Sequence, residues 1–167
     1  MAVAIETEKK YIIRMPDIAE LEAEAGYQKS EITQTYFSSL SGVTHRVRKR
    51  VFPEKTVCTE TKKTRISKMS VIEDERELTE AEYEALLSTL EVIGSLSKTR
   101  HIFLFGGHTI EVDVYPSWSK SCILEVELAG ETEELTLPSY IEVLEDVTGS
   151  RKYSNHNMSL SFPEELI

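Results

Sequence analysis

Cysteine is scarce in this chain. Cys58 and Cys122 are the only two in 167 residues, too few for a disulfide framework, and they read as reduced thiols. Long apolar runs are missing as well. No stretch approaches the roughly 20 residues that a membrane helix needs. Met1–Ile5 runs straight into charges, so no signal peptide is expected. Basic residues are outnumbered: 19 Lys and Arg stand against 29 Asp and Glu, a net charge of −10. Nucleic acid and anionic membrane are therefore not expected as partners, since both repel an acidic surface. The expected location is cytoplasmic. No Ser/His/Asp arrangement, no Gly-rich phosphate loop and no metal-spaced histidine cluster is found, which leaves covalent serine chemistry and P-loop binding without support.

No linker, repeat or low-complexity segment divides the sequence. Residues 1–167 read as a single domain, and 40% hydrophobic residues suffice for a core. Three helices are expected. In "PDIAELEAEAG" Asp17 can cap and Gly26 can close. In "LTEAEYEALLSTL" Thr79 and Glu82 make a capping box. In "PSYIEVLEDVTG" Pro138 suits a first turn and Gly149 an end. The rest reads as strands, at about 5–14, 33–39, 43–52, 55–64, 70–78, 97–105, 108–116 and 121–129. Turns fall at "LSG" and "FGGH", where glycine supplies positive φ. Eight mostly antiparallel strands with short connections make an α+β fold, with an eight-stranded antiparallel β-barrel favoured over an open sandwich.

Charges recur at every second strand position, and so share a face. Glu6, Glu8 and Lys10 begin the series. Arg46, Arg48 and Arg50 follow, then Glu60 and Lys62, and then Glu73, Glu75 and Glu77. Lys98 with Arg100, Glu111 with Asp113, and Glu125 with Glu127 complete it. One such strand is ordinarily a solvated sheet face. The set differs, because it is sorted by sign strand by strand. If these faces point into a small barrel, the apolar parity (Val112, Val114, Leu124, Val126, Leu128) faces out beneath the helices. Charges enclosed in that way must be paired, hydrated or bound to ions. Arginine forks suit phosphate and clustered carboxylates suit a hard divalent cation, so both together suit a metal–polyphosphate complex.

The motif "ETEKK" at 6–10 resembles the Glu-x-Glu-x-Lys signature of the CYTH domain, the triphosphate tunnel metalloenzymes. The resemblance continues in order through "RVR" (46–48), "TETKK" (59–63), "EDERE" (73–77) and "KTR" (98–100). It ends with "EVD" (111–113), "EVE" (125–127) and "RKYSN" (151–155). It implies an eight-stranded tunnel that binds a triphosphate with one or two Mg²⁺ or Mn²⁺ ions. Lys10, Arg46, Arg48, Lys62, Lys98, Arg100 and Lys152 resemble its phosphate ligands. Glu6, Glu8 and Glu127 resemble its activating metal set. Glu125 and Asp113 fit a second metal or the orientation of the attacking water. Glu6, Glu8, Lys10, Glu127 and Asp113 thus form the implied catalytic group. Glu75 and Glu77 would orient the basic side chains, while Glu73, Glu111 and Arg50 read as solvated or structural. Tyr36 and His156 are left between packing and substrate contact.

Family members include inorganic, nucleoside, thiamine and RNA triphosphatases as well as class IV adenylate cyclases, so the fold alone does not name the substrate. The first expectation is a metal-dependent triphosphatase acting on inorganic tripolyphosphate. The alternatives are cyclisation of ATP and a non-catalytic polyphosphate-binding module. A stand-alone domain is expected, and pairing into a homodimer is left open.

Overall fold

The computed structural model describes residues 2–167. The chain runs β1 (Ala2–Arg14), α1 (Ile18–Glu22), β2 (Gln28–Phe37), β3 (Val43–Val51), β4 (Thr56–Arg65) and β5 (Ser70–Leu78). It continues through α2 (Glu80–Thr89), β6 (Val92–Phe105), β7 (His108–Val114), β8 (Ser121–Leu128), β9 (Val143–Asp146) and α3 (Asn155–Leu160). Two local signals act as the sequence indicated. Gly106 and Gly107, at φ 59° and 80°, form a two-residue hairpin between Phe105 and His108, where both central residues need positive φ. Thr79 and Glu82 cap α2 reciprocally, each side chain accepting from the other's backbone N–H at 3.1 and 3.0 Å.

Eight strands close into an antiparallel barrel in the order β1-β5-β4-β3-β2-β6-β7-β8, returning to β1. The closure depends on the length of β1. Its first half, Ala2–Thr7, pairs with β5, and Thr7–Arg14 pairs with β8. Beyond Thr7 the β5 side of β1 is free, and β9 pairs there at Tyr11–Ile13. The fold is therefore α+β, a closed eight-stranded barrel with one added strand and three short helices.

The outward parity carries two apolar clusters. One gathers Ile13, Phe103, Ile110, Val112, Leu124 and Val126 beneath Leu21 of α1 and the loop residues Leu135, Leu137 and Tyr140. The other packs Phe37, Val47 and Cys58 against Tyr83 of α2. The third helix departs from expectation. Residues 138–149 form a turn and β9, and the helix lies further on, where Ser154 accepts a hydrogen bond from Asn157 N at 3.1 Å. It does not cover the outside. Ile12, Leu96, Tyr115 and Ile123 share the parity of the inward charges, and they cluster with Trp118, Tyr153 and Met158 into an apolar plug inside the barrel. Helix α3 packs so closely on β6 that a Cβ at Gly94 would stand 2.6 Å from Ser159 Oγ. No described helix is long and apolar enough to cross a membrane.

Candidate active site

Beside the plug the lumen opens into a cavity of about 540 Å³. Eight Lys and Arg and four Glu border it, in a chain whose net charge is −10. The barrel thus concentrates positive charge inside while its exterior is acidic. Strand alternation does the sorting: Arg46 and Arg48 from β3, Lys63 and Arg65 from β4, Lys10 from β1 and Arg100 from β6 all take the inward parity.

The acidic side is short of cations. Glu8 and Glu127 are direct cross-strand partners, an arrangement that is unfavourable for like charges. Burial, and then the neighbouring Glu125, pushes the Glu8 carboxyl up to about 7. Burial and a hydrogen bond shared with Glu73 raise Glu6, although Lys63 stands 3.2 Å away. Burial with Glu6 and Glu111 raises Glu127, which is exposed beside Glu8. Glu125 differs. Against its burial, Lys10 at 3.3 Å together with Lys98 holds it down at about 2. Its Oε1 makes the contact with Lys10, and its Oε2 lies 3.6 Å from Arg100.

The basic side is short of anions. Burial lowers Arg48 to about 10, helped by the adjacent Arg46 and Arg100. Arg46 Nε is enclosed without a hydrogen-bond partner, although against its burial Tyr36, Glu73 and Glu75 hold Arg46 above its ordinary value. Glu75 supplies part of the opposing charge for both arginines while accepting from Thr61 Oγ1 at 2.9 Å.

Between the two sides lies a knot of ion pairs. Asp113 is fully buried and accepts two 2.8 Å bonds from Arg100, with Lys98 Nζ 2.7 Å away. These cations hold its carboxyl well below the usual range despite burial. Arg100 also reaches Glu111 at 2.8 Å, so Glu111 belongs to the cavity wall and not to a solvated face.

Several expected placements need correction. Lys62 points outward into a groove with Glu60, Asp74 and Arg76. The inward residues of β4 are Thr59, Thr61, Lys63 and Arg65, and Lys63 occupies the place assigned to Lys62. Lys152 is exposed with its ammonium 5.4 Å from the Tyr153 ring, and Arg151 borders the cavity instead. Asp113 has both oxygens engaged by cations, which leaves none for a metal. Lys98 borders the cavity, but its ammonium is turned to Asp113 and to Asn155 at 3.4 Å. Glu77 is exposed and, among the described residues, makes no ion pair. Arg50 donates to Ser30 at 2.8 Å and stacks over Phe52, as a structural residue does. His156 reaches the cavity with its ring 5.2 Å from that of Tyr36, itself buried and accepting from Gln34 at 2.8 Å. The other three histidines contact Glu60, Tyr27 and Glu133 away from the lumen.

Among the described residues no three carboxylate, imidazole or thiol groups form a ready metal cage. The donor chemistry nevertheless fits a hard cation. Glu6, Glu8 and Glu127 offer only carboxylate oxygens, and each is raised above the ordinary range by burial and then by neighbouring carboxylates.

No protein-family model matches the chain, and no curated protein does. Solved structures do share the fold. The inorganic triphosphatase NE1496 is 23% identical with a TM-score of 0.59, over 95% of this chain and 97% of that one. A candidate adenylate cyclase from Bacillus halodurans is 18% identical at TM-score 0.58, over 78% of this chain and 84% of that one. HpAC1 from Hippeastrum, an adenylyl cyclase candidate described as having a dominant triphosphatase activity, is 15% identical at TM-score 0.53, over 74% and 80%.

Proposed function

We propose that this chain is a CYTH-type tunnel enzyme, a divalent-cation-dependent triphosphatase whose substrate is inorganic tripolyphosphate. One observation carries the reading: the enclosed charges are unsatisfied in two segregated groups. Burial and the neighbouring arginines leave Arg48 short of anions and Arg46 Nε has no partner, while buried Glu8 lies against Glu125 and the exposed Glu127, and Glu6 shares its cation, Lys63, with Glu73. A metal–triphosphate complex meets both deficits at once. The fold shared with an inorganic triphosphatase supports the same reading.

Lys10, Arg46, Arg48, Lys63 and Arg100 would clamp the phosphate oxygens, with Arg65 and Arg151 at the wall. Glu6, Glu8 and Glu127 would hold Mg²⁺ or Mn²⁺. When bound, that ion supplies charge neutralisation at the phosphate oxygens and a Lewis acid. Glu125 is the carboxylate suited to orient the attacking water, because Lys10 and Lys98 keep it ionised and it borders the cavity. Water oxygen bonds to the terminal phosphorus, the bridging P–O bond breaks, and pyrophosphate departs as the water proton passes to a carboxylate or a phosphate oxygen. Positioning and charge stabilisation account for most of the rate in such transfers.

The cavity wall favours a substrate without a base. Its aromatic side chains are Tyr36, 2% exposed, and His156, beside the apolar Met69 and Val71. Cyclisation of ATP is the second reading, and the cyclase candidates among the fold neighbours favour it. A substrate panel separates the two. Tripolyphosphate, ATP, GTP, thiamine triphosphate and pyrophosphate are assayed with Mg²⁺, Mn²⁺ and Ca²⁺ for phosphate, pyrophosphate and cyclic AMP. Metal-dependent phosphate release, highest on tripolyphosphate, is expected. Pyrophosphate and cyclic AMP from ATP would replace this reading with the second.

A further inference from the structure

The residue that ties the C-terminal segment to the lumen is Asn155. Its side-chain Oδ1 accepts from Tyr115 Oη at 2.6 Å and faces Lys98 Nζ at 3.4 Å. Both donors come from inside the barrel and are buried: Tyr115 is 0% exposed and Lys98 2%. The contact does not end at Lys98. Its ammonium lies 2.7 Å from Asp113, which holds Arg100 through two 2.8 Å bonds. Asn155 is also the first residue of α3, and it borders the cavity together with its neighbours Arg151, Ser154, His156 and Asn157. A second tether runs in parallel, for Lys10 Nζ donates to the Tyr153 carbonyl at 3.1 Å.

We infer that Asn155 and Tyr115 are positioning residues for phosphate binding: their hydrogen bond seats the C-terminal wall of the cavity and, through Lys98 and Asp113, fixes the guanidinium of Arg100. Neither residue touches substrate in this scheme. Tyr115 Oη is directed at Asn155, and the Asn155 oxygen, though Asn155 borders the cavity, is engaged by its two donors. A hydrogen bond in an enclosed, low-dielectric network is worth more than one at the surface, and it also restricts the groups it links. The inference rests on the triphosphate reading of the cavity, because that reading makes Arg100 a clamp.

The test is calorimetric binding of tripolyphosphate with Mg²⁺, beside thermal melting and steady-state kinetics, on the full chain. Tyr115→Phe removes one hydroxyl from the plug, and Asn155→Ala removes the shared acceptor. Met158→Ala serves as control, since it loosens α3 by packing in the plug alone. Tyr115→Phe and Asn155→Ala should each weaken binding and raise KM roughly fivefold to tenfold, with kcat less affected. The double variant should be no worse than Asn155→Ala, because both act through one oxygen. Met158→Ala should lower Tm the most and leave affinity within about twofold. Affinity that simply follows Tm across the three variants would overturn the inference, as would unchanged affinity in both polar variants. Wild-type protein that binds no tripolyphosphate would overturn the functional reading and this inference with it.

Discussion

Adjacent lysines in β4 give a sharp test of the site. Lys63 faces the lumen, 3.2 Å from Glu6 and 3.4 Å from Glu73. Lys62 is exposed on the outer face. Lys63→Ala removes a charged donor from the clamp and leaves Glu6 and Glu73 without their shared cation. A hydrogen bond to a charged group is worth about 1.5–3 kcal/mol, so the loss of transition-state stabilisation corresponds to roughly 10- to 150-fold in kcat/KM. Lys62→Ala removes an exposed side chain that forms no ion pair among the described residues, and a surface change of this kind stays within about 0.5 kcal/mol, or roughly twofold. The assay is phosphate release from tripolyphosphate with Mg²⁺, with Tm recorded for both variants to exclude unfolding. If Lys62→Ala lost more activity than Lys63→Ala, the inward parity of β4 would be wrong, and with it the composition of the clamp.

Other expectations concern stability and the wall. With metal chelated, Glu8 makes stability depend on pH. Its folded value of about 7 lies above the ordinary 4.5, so the contribution is complete below about 4.5 and is lost as pH rises through 7. The loss is at most about 3 kcal/mol. Glu8→Gln should therefore raise Tm at pH 8 in chelator and flatten the pH profile between 5 and 8; an unchanged profile would show that Glu8 is not the titrating group. Arg48→Ala relieves repulsion from Arg46 and Arg100 while removing a clamp fork. The substrate-free protein should melt no lower than wild type, yet kcat/KM should fall on the order of 10²-fold; a lower Tm with unchanged activity would contradict its role. Gly94→Ala places a Cβ 2.6 Å from Ser159 Oγ and should unseat α3, read as faster proteolysis after residue 147.

The barrel could be read from the sequence because its charges repeat with the strand period on most strands, and because the two glycine hairpins and the capping box are local signals. The site was legible where one parity alone was charged, as in Glu125 and Glu127 of β8. Strand β4 misled because "TETKK" carries lysine at both parities. Glu60 and Lys62 imitate the inward pattern, but they alternate with the inward Thr59 and Thr61, and only the register with β5 places Lys63 against Glu73. Residues 138–149 resembled a helix through Pro138 and Gly149. Their fate was set by β1, whose free edge beyond Thr7 needed a partner. Helix α3 carries little signal of its own, with Met158 its one buried residue, and it is held by the plug and by Asn155. Glu111 looked solvated because its partner, Arg100, meets it diagonally across the β6–β7 hairpin, a contact that depends on the register.

The most direct test of the central claim is a crystal structure with tripolyphosphate and Mn²⁺, with the ion located by its anomalous scattering. The expected result is an Mn²⁺ peak among the carboxylates of Glu6, Glu8 and Glu127, with the phosphate chain against Arg46, Arg48, Lys63 and Arg100. Phosphate bound outside the barrel, or Mn²⁺ remote from these carboxylates, would contradict the assignment.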